Sequence, residues 1–173
     1  DGIFVGDITQ VGAFSEWGFP IYEPHTYIGA GFQGTLGYGF ATALGAQAAN
    51  PGKKVISANG DGGFLYTVGD LATAHQHNIP LVAIVFNDGA YGNVRWIQAS
   101  RYGGRHIASD LVNPDFVKLA ESFNIAGRRA ETPEQLREAI REGFDSNAPM
   151  LIDYPTAPMP AVRGHVRGQV RGG

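Results

Sequence analysis

The sequence predicts a doubly wound α/β fold, a mostly parallel sheet with helices on both faces, in a single domain. Three observations carry this. Short apolar strands alternate with helical segments along most of the chain. Leu81 to Phe86 (LVAIVF) is a continuous apolar run, the pattern of a parallel strand covered on both faces. Two strands end directly on turn-forming residues with an acid, Gly60-Asp61-Gly62-Gly63 and Asn87-Asp88-Gly89, where sheets of this class hold their ligands.

Gly2 to Asp7 reads as a short buried strand ending on an acid. Gly37 to Asn50 is a small-residue helix stopped by Asn50-Pro51-Gly52. Val55 to Ala58 is a strand that breaks off at Gly60. Val68 to Asn78 is a helix leading into the Leu81 strand, and another helix starts near Tyr91. Asn113 and Pro114 suit an N-cap and first helical position. The helix they open carries Phe116, Leu119, Ala120 and Phe123 on one face. Ile125 to Arg129 follows as a strand. Thr132-Pro133-Glu134-Gln135 caps a helix bearing Leu136, Ala139, Ile140 and Phe144, and Met150 to Tyr154 is the last strand. Residues 1–157 form the domain. Residues 158–173 read as a flexible Arg/Gly-rich tail, in which Val162-Arg163-Gly164 recurs at Val166 and Val170 without an aromatic for base stacking.

The 173 residues suit one domain with its own core. With 43% apolar and 17% charged residues, the composition is that of a soluble globular protein. The 25 glycines are about twice the usual share, and most of the excess lies between Gly29 and Gly104. A net charge of −3 gives no reason to expect nucleic acid or an anionic membrane as partner. No apolar run approaches the roughly 18 residues of a membrane span, and no signal peptide opens the chain. The absence of cysteine excludes a disulfide framework and fits a reducing, cytoplasmic setting. The chain opens on Asp1 rather than Met, which reads as a piece of something longer.

Gly29-Ala30-Gly31-Phe32-Gln33-Gly34 matches the dinucleotide pattern G-x-G-x-x-G. A ribose-binding acid is due about 20 residues later, and Lys53 and Lys54 stand there instead. The paired strand ends are the better signal. One strand–helix–strand crossover separates Asp61 from Asp88, so both carboxylates reach the same edge of the sheet. Two acids with nearby backbone carbonyls make a hard oxygen site suited to Mg²⁺, which keeps positions for phosphate oxygens. The glycines leave N–H groups free to face those anionic oxygens. Either segment alone would serve as an ordinary turn; together they imply a metal-bridged diphosphate.

These residues resemble the thiamine-diphosphate enzymes, the family of acetolactate synthases, benzoylformate and pyruvate decarboxylases and related carboligases. That family's motif opens Gly-Asp-Gly and closes on Asn-Asn. It runs here from Gly60 to Asp88 (GDGGFLYTVGDLATAHQHNIPLVAIVFND). Gly34-Thr35-Leu36-Gly37-Tyr38-Gly39 is similar to the family's Gly-Thr-Met-Gly-Tyr-Gly, which also precedes a small-residue helix. The resemblance implies thiamine diphosphate and Mg²⁺ as cofactors. It implies Asp61 and Asp88 as metal ligands by side chain and Ala90 by its carbonyl. Gly60, Gly62, Gly63, Tyr91 and Gly92 would lie against the diphosphate, and Thr9 and Gln10 resemble a third diphosphate-contacting segment. Leu36 would prop the cofactor into its V shape, and the Gly34 carbonyl would accept from its 4′-amino group. Two departures stand out: Asp88 replaces a common asparagine, and Phe40-Ala41 replaces a common Leu-Pro.

The family's catalytic glutamate belongs to a separate pyrimidine-binding domain, usually on the facing subunit. Glu16 and Glu23 are the nearest carboxylates on the N-terminal side, and neither lies in a segment like that motif. No catalytic residue is therefore assigned in this chain. The expected whole is a homo-oligomeric 2-oxo acid decarboxylase or carboligase. The chain alone is expected to be inactive, with Phe32, Leu36, Tyr38 and Phe40 exposed where the partner domain would sit. Two alternatives are a subunit of a split two-chain decarboxylase and a non-catalytic Mg²⁺-dependent diphosphate or nucleotide module. His75 and His77 lie two apart on a helix and cannot share a metal. His25 reads as a loop histidine, while Arg95, Trp96 and Arg101 are candidates for a substrate pocket.

Overall fold

A computed structural model describes residues 2–158; the Arg/Gly repeat lies outside the described residues. Six strands form one sheet: β1 (Gly2–Gly6), β2 (Tyr27–Gly29), β3 (Lys54–Gly60), β4 (Val82–Asn87), β5 (Ala126–Arg129) and β6 (Met150–Pro155). They run in the order β2-β1-β3-β4-β6-β5, and every pairing is parallel. This is the doubly wound arrangement the alternating pattern predicts. From β1 the chain steps to β2 on one side and then returns to β3 on the other. The order reverses there, so the carboxyl ends of β1 and β3 flank the crevice where such sheets bind ligands.

Side-chain alternation along the strands divides the core in two. Ala83, Val85 and Leu151 face α2 (Tyr38–Ala49), α4 (Leu71–Gln76) and α6 (Phe116–Ser122). Val82, Ile84 and Ile152 face α7 (Pro133–Ser146), whose Leu136, Ala139, Ile140 and Phe144 complete the second cluster. In the first cluster Phe64 packs between Phe40 (5.1 Å between ring centres) and Phe116 (6.0 Å). All three rings are buried, each contributing about 1.5–3 kcal/mol by leaving water. Phe40 is thus a core residue and not part of an exposed edge. It projects from the first turn of α2 toward the sheet, whereas Phe32 stands fully in solvent and Leu36 and Tyr38 are half-buried.

Several boundaries differ from the sequence expectation. Gln10–Gly18 forms a helix, α1, that the sequence pattern does not announce. Tyr27–Gly29 is a short edge strand. The helix expected over Val68–Asn78 divides into a 3₁₀ turn at Val68–Asp70 and α4, and Asn78 ends it in the left-handed region at φ 43°. The N-cap expected at Asn113 is Asp115, whose side chain accepts from the amides of Val117 and Lys118 at 3.1 Å. The Asn113 side chain is engaged elsewhere, as described below. Thr132 caps α7 as expected, accepting from Gln135 N at 3.2 Å. Among the described residues, no helix is long and apolar enough to cross a membrane.

Candidate functional site

At the carboxyl edge of the sheet a cleft of about 310 Å³ opens between the segments following β1, β3 and β4. Thr9, Gln10, Leu36, Gly60, Asp61, Gly62, Gly63, Asp88, Ala90, Tyr91 and Gly92 all line it. Gly34 does not. It sits beside the wall, where a Cβ would lie 3.9 Å from Ile8 Cδ1.

Three helices begin at this cleft. α1 starts at Gln10, the single turn α3 (Asp61–Phe64) at Asp61, and α5 (Gly92–Arg101) at Gly92. First-turn amides have no partner within their own helix and carry the positive end of its dipole, so the cleft is prepared for an anion. The Gly60–Gly63 segment is thus a helical turn rather than a loop. A Cβ on Gly62 would lie 2.5 Å from Tyr91 Cε1 and 3.0 Å from Leu111 Cδ1, so only glycine keeps this wall clear. Tyr91 and Gly92 line the cleft, and the Tyr91 amide is committed to Ser109 O at 2.8 Å.

Two carboxylates stand in the same place. Asp61 is 2% exposed, and its Oδ2 accepts from Gly89 N at 2.9 Å and from Asn113 Nδ2 at 2.6 Å. Asn113 Nδ2 also donates to Asn87 Oδ1 at 3.0 Å, so the apparent helix cap is a brace across the ends of β3 and β4. Asp88 accepts from Gln10 Nε2 at 3.2 Å and from Ala90 N at 3.2 Å. Burial, and then the charge of Asp61, raise the Asp88 pKa above the ordinary 3.8. Paired carboxylates repel each other and any incoming anion unless a cation lies between them. Two carboxylates and a backbone carbonyl give the few hard oxygens that Mg²⁺ takes from a protein before filling its octahedron with water and phosphate. Among the described residues no cluster of three or more His, Cys, Asp or Glu could hold a metal. The donor set fits a cation shared with an anionic ligand.

Other sequence candidates lie apart. Arg95 and Trp96 line a neighbouring cavity of about 240 Å³ with His106, which shares Asp88, Ala90 and Gly92 with the cleft. His25, His75, His77 and Arg101 are exposed and line neither cavity, and Glu16 and Glu23 are likewise exposed and away from the cleft. Ile8, Asn93 and Val94 line the cleft without a signal in the sequence, and Asn113, a cap by local pattern, braces Asp61 instead. The first three became visible only once the starts of α1 and α5 were placed at the cleft.

Residues 7–154 match the family described as thiamine pyrophosphate enzyme, C-terminal TPP binding domain. The chain belongs to this family. It is 42% identical over 137 residues to an acetolactate synthase of Bacillus subtilis (strain 168), covering 79% of this chain and 24% of that protein. It is 37% identical over 158 residues to a probable acetolactate synthase large subunit of Methanococcus aeolicus, covering 89% and 26%. Among solved structures, the thiamine diphosphate-dependent 4-hydroxybenzoylformate decarboxylase of Rhodococcus jostii RHA1 superposes with a TM-score of 0.83 at 32% identity. That match covers 91% of this chain and 30% of the other. The TPP-binding domain described here therefore spans about a quarter of the length of the curated relatives it matches. The matched family is the one that the Gly60–Asp88 and Gly34–Gly39 segments resemble.

Proposed function

We propose that this domain binds thiamine diphosphate through Mg²⁺ and supplies one half of the active site of a 2-oxo acid decarboxylase or carboligase of the acetolactate synthase type. The observation that carries the reading is the meeting of two carboxylates with three helix N-termini in one cleft. Helix starts alone would suit a free anion. Carboxylates alone would suit a cation. Both together suit a metal-bridged diphosphate.

In this reading Asp61 and Asp88 hold Mg²⁺ by side chain and Ala90 by its carbonyl. Gly60, Gly62, Gly63, Tyr91 and Gly92 cradle the diphosphate, with Thr9 and Gln10 closing the far wall. Gln10 also steadies Asp88, and Asn113 with Gly89 steadies Asp61. Leu36 supports the cofactor between its two rings, and the Gly34 carbonyl accepts from the aminopyrimidine. When bound, thiamine diphosphate supplies a nucleophilic thiazolium carbon and a sink for the electrons left by departing carbon dioxide. The chain's own residues orient and neutralise; among the described residues no carboxylate besides Asp61 and Asp88 lines the cleft. A pyrimidine-binding domain from the same or another chain would bring the catalytic glutamate. Phe14, Trp17 and Phe32, each more than half exposed, are apolar surface available to such a domain.

Calorimetric titration separates this reading from a nucleotide-binding module. With Mg²⁺ present, thiamine diphosphate is expected to bind and ADP to bind far more weakly or not at all. Equal or tighter ADP binding would overturn the assignment.

A further inference from the structure

We propose that Asp7 is a positioning residue: from the end of β1 it clamps the Gly34–Gly39 turn against the Gly60–Gly63 turn, and so sets where Leu36 stands in the cleft. The inference rests on the thiamine diphosphate reading for its functional half and on geometry alone for its structural half.

Asp7 is 3% exposed and does not line the cleft, so any effect it has on a ligand passes through its neighbours. Its amide donates to Ala58 O at 2.9 Å, which fixes it beside β3 at the point where the strand order reverses. Ile8 N donates to Oδ1 at 2.6 Å. Oδ2 is buried and has no hydrogen bond of good geometry. It faces the seam between the two turns. A Cβ built on Gly63 would lie 3.2 Å from Asp7 Oδ2 and 3.5 Å from Gly37 N. The end of β1, the Gly34–Gly39 turn and the Gly60–Gly63 turn thus meet around the Asp7 side chain.

Burial raises the Asp7 pKa above the ordinary 3.8, and the nearby amides of Ile8, Gly39, Gly37 and Tyr38 act against that rise. The last three belong to the start of α2, whose N-cap is Gly37, a residue with no side chain to cap it. A carboxylate on a neighbouring strand occupies the place that a capping side chain usually fills. Gly39 makes the approach possible. A Cβ there would lie 2.7 Å from Asp7 Cβ and 2.6 Å from Asn59 Oδ1, another buried acceptor without a partner. Leu36 immediately precedes Gly37, whose φ of +80° turns the chain from the cleft into the helix. Whatever fixes Gly37 therefore fixes Leu36.

The test uses the full chain with Asp7→Ala, and Asp7→Asn as the conservative variant. Amide hydrogen exchange at Gly37, Tyr38 and Gly39 should quicken about tenfold in Asp7→Ala relative to mid-helix Ala43 and Leu44, and recover only in part in Asp7→Asn, whose one acceptor oxygen cannot serve both Ile8 N and the seam. Affinity for Mg²⁺–thiamine diphosphate should fall about tenfold in Asp7→Ala, while affinity for Mg²⁺–pyrophosphate, which reads only the metal and phosphate cradle, stays within about twofold. Unchanged exchange, or equal losses for both ligands, would overturn the clamp. Should Asp7→Ala fail to fold, Asp7→Glu keeps the charge and displaces it. The clamp then predicts weaker thiamine diphosphate binding with pyrophosphate unaffected, and no difference between the two ligands contradicts it. Wild-type protein that fails to bind thiamine diphosphate would strike the functional reading instead, and the exchange experiment would still decide the clamp.

Discussion

The Asp61 carboxylate accepts the Gly89 amide at 2.9 Å, tying the end of β3 to the turn that follows β4. The same oxygen holds Asn113 at 2.6 Å. Asp61 is thus a structural acceptor as well as a proposed metal ligand. Asp61→Ala removes the acceptor of two part-buried donors, Gly89 N and Asn113 Nδ2; the latter keeps Asn87 Oδ1, so the full cost of about 1–3 kcal/mol falls on Gly89 alone. Urea unfolding should show a less stable but folded domain, and calorimetry should show no Mg²⁺-dependent thiamine diphosphate binding. Undiminished cofactor affinity would remove Asp61 from the site.

Asp88 is expected to behave differently. Burial and the Asp61 charge raise its pKa in the folded state above 3.8, so between 3.8 and that raised value the folded protein holds more protons than the unfolded chain. Its contribution to stability is therefore greatest at low pH and declines as pH rises through the folded value. At neutral pH its charge is a net cost to the free domain. Asp88→Asn should raise the unfolding free energy at neutral pH, with the advantage shrinking as pH falls toward 3.8. The amide oxygen remains a ligand, so Mg²⁺ binding should persist. Lower stability of the variant at neutral pH, or a large loss of cofactor affinity, contradicts this.

Gly62→Ala separates site from scaffold. The added methyl meets Tyr91 Cε1 at 2.5 Å, the far end of a half-buried side chain that can swing away, so stability should change by less than about 1.5 kcal/mol. The displaced ring and the methyl would both occupy the proposed diphosphate cradle. Cofactor affinity should fall at least about tenfold, about 1.4 kcal/mol, in a titration that leaves the circular dichroism spectrum unchanged. Unaltered affinity would move the diphosphate off this wall.

The chain alone should lack catalytic activity and should associate. Without the glutamate proposed for the pyrimidine-binding domain, the cofactor would lose acid–base help typically worth about 10²–10⁴-fold. Exchange of the cofactor's C2 hydrogen, followed by NMR, should stay slow, and light scattering should find a dimer, a larger species or an aggregating monomer. Phe14, Trp17 and Phe32 are the exposed apolar residues this assigns to the contact. Exchange at the rate of a complete enzyme would mean that a carboxylate of this chain replaces the missing one.

The parts of the fold legible in the sequence are those written as local pattern. The LVAIVF run sits in the middle of the sheet as β4, and Thr132 caps α7 because its hydroxyl and the following proline act within four residues. Asp61 and Asp88 were legible because each ends an apolar strand on a turn. α1 was not, because its apolar residues face a partnerless surface rather than a core: Phe14 and Trp17 are exposed while Gly12 and Ser15 are buried. Asn113 was misread because Asn-Pro suits a cap, and only tertiary contact shows its amide drawn to Asp61. Asp7 could be seen as an acid after a strand. Its meeting with Gly37, Gly39 and Gly63 requires three segments distant in sequence.

In the proposed site a metal held by Asp61 and Asp88 bridges to the diphosphate of thiamine diphosphate. Mn²⁺ can replace Mg²⁺ and broadens the signals of nuclei near it, so one titration followed by nitrogen and phosphorus NMR tests the claim. With thiamine diphosphate present, trace Mn²⁺ should selectively broaden the amides of Gly62, Gly89 and Ala90 and both cofactor phosphorus signals. Gly127, on the edge strand β5, should keep its line width. Broadening that spares Gly62, Gly89 and Ala90, or that proceeds equally without the cofactor's phosphorus signals responding, would contradict the account.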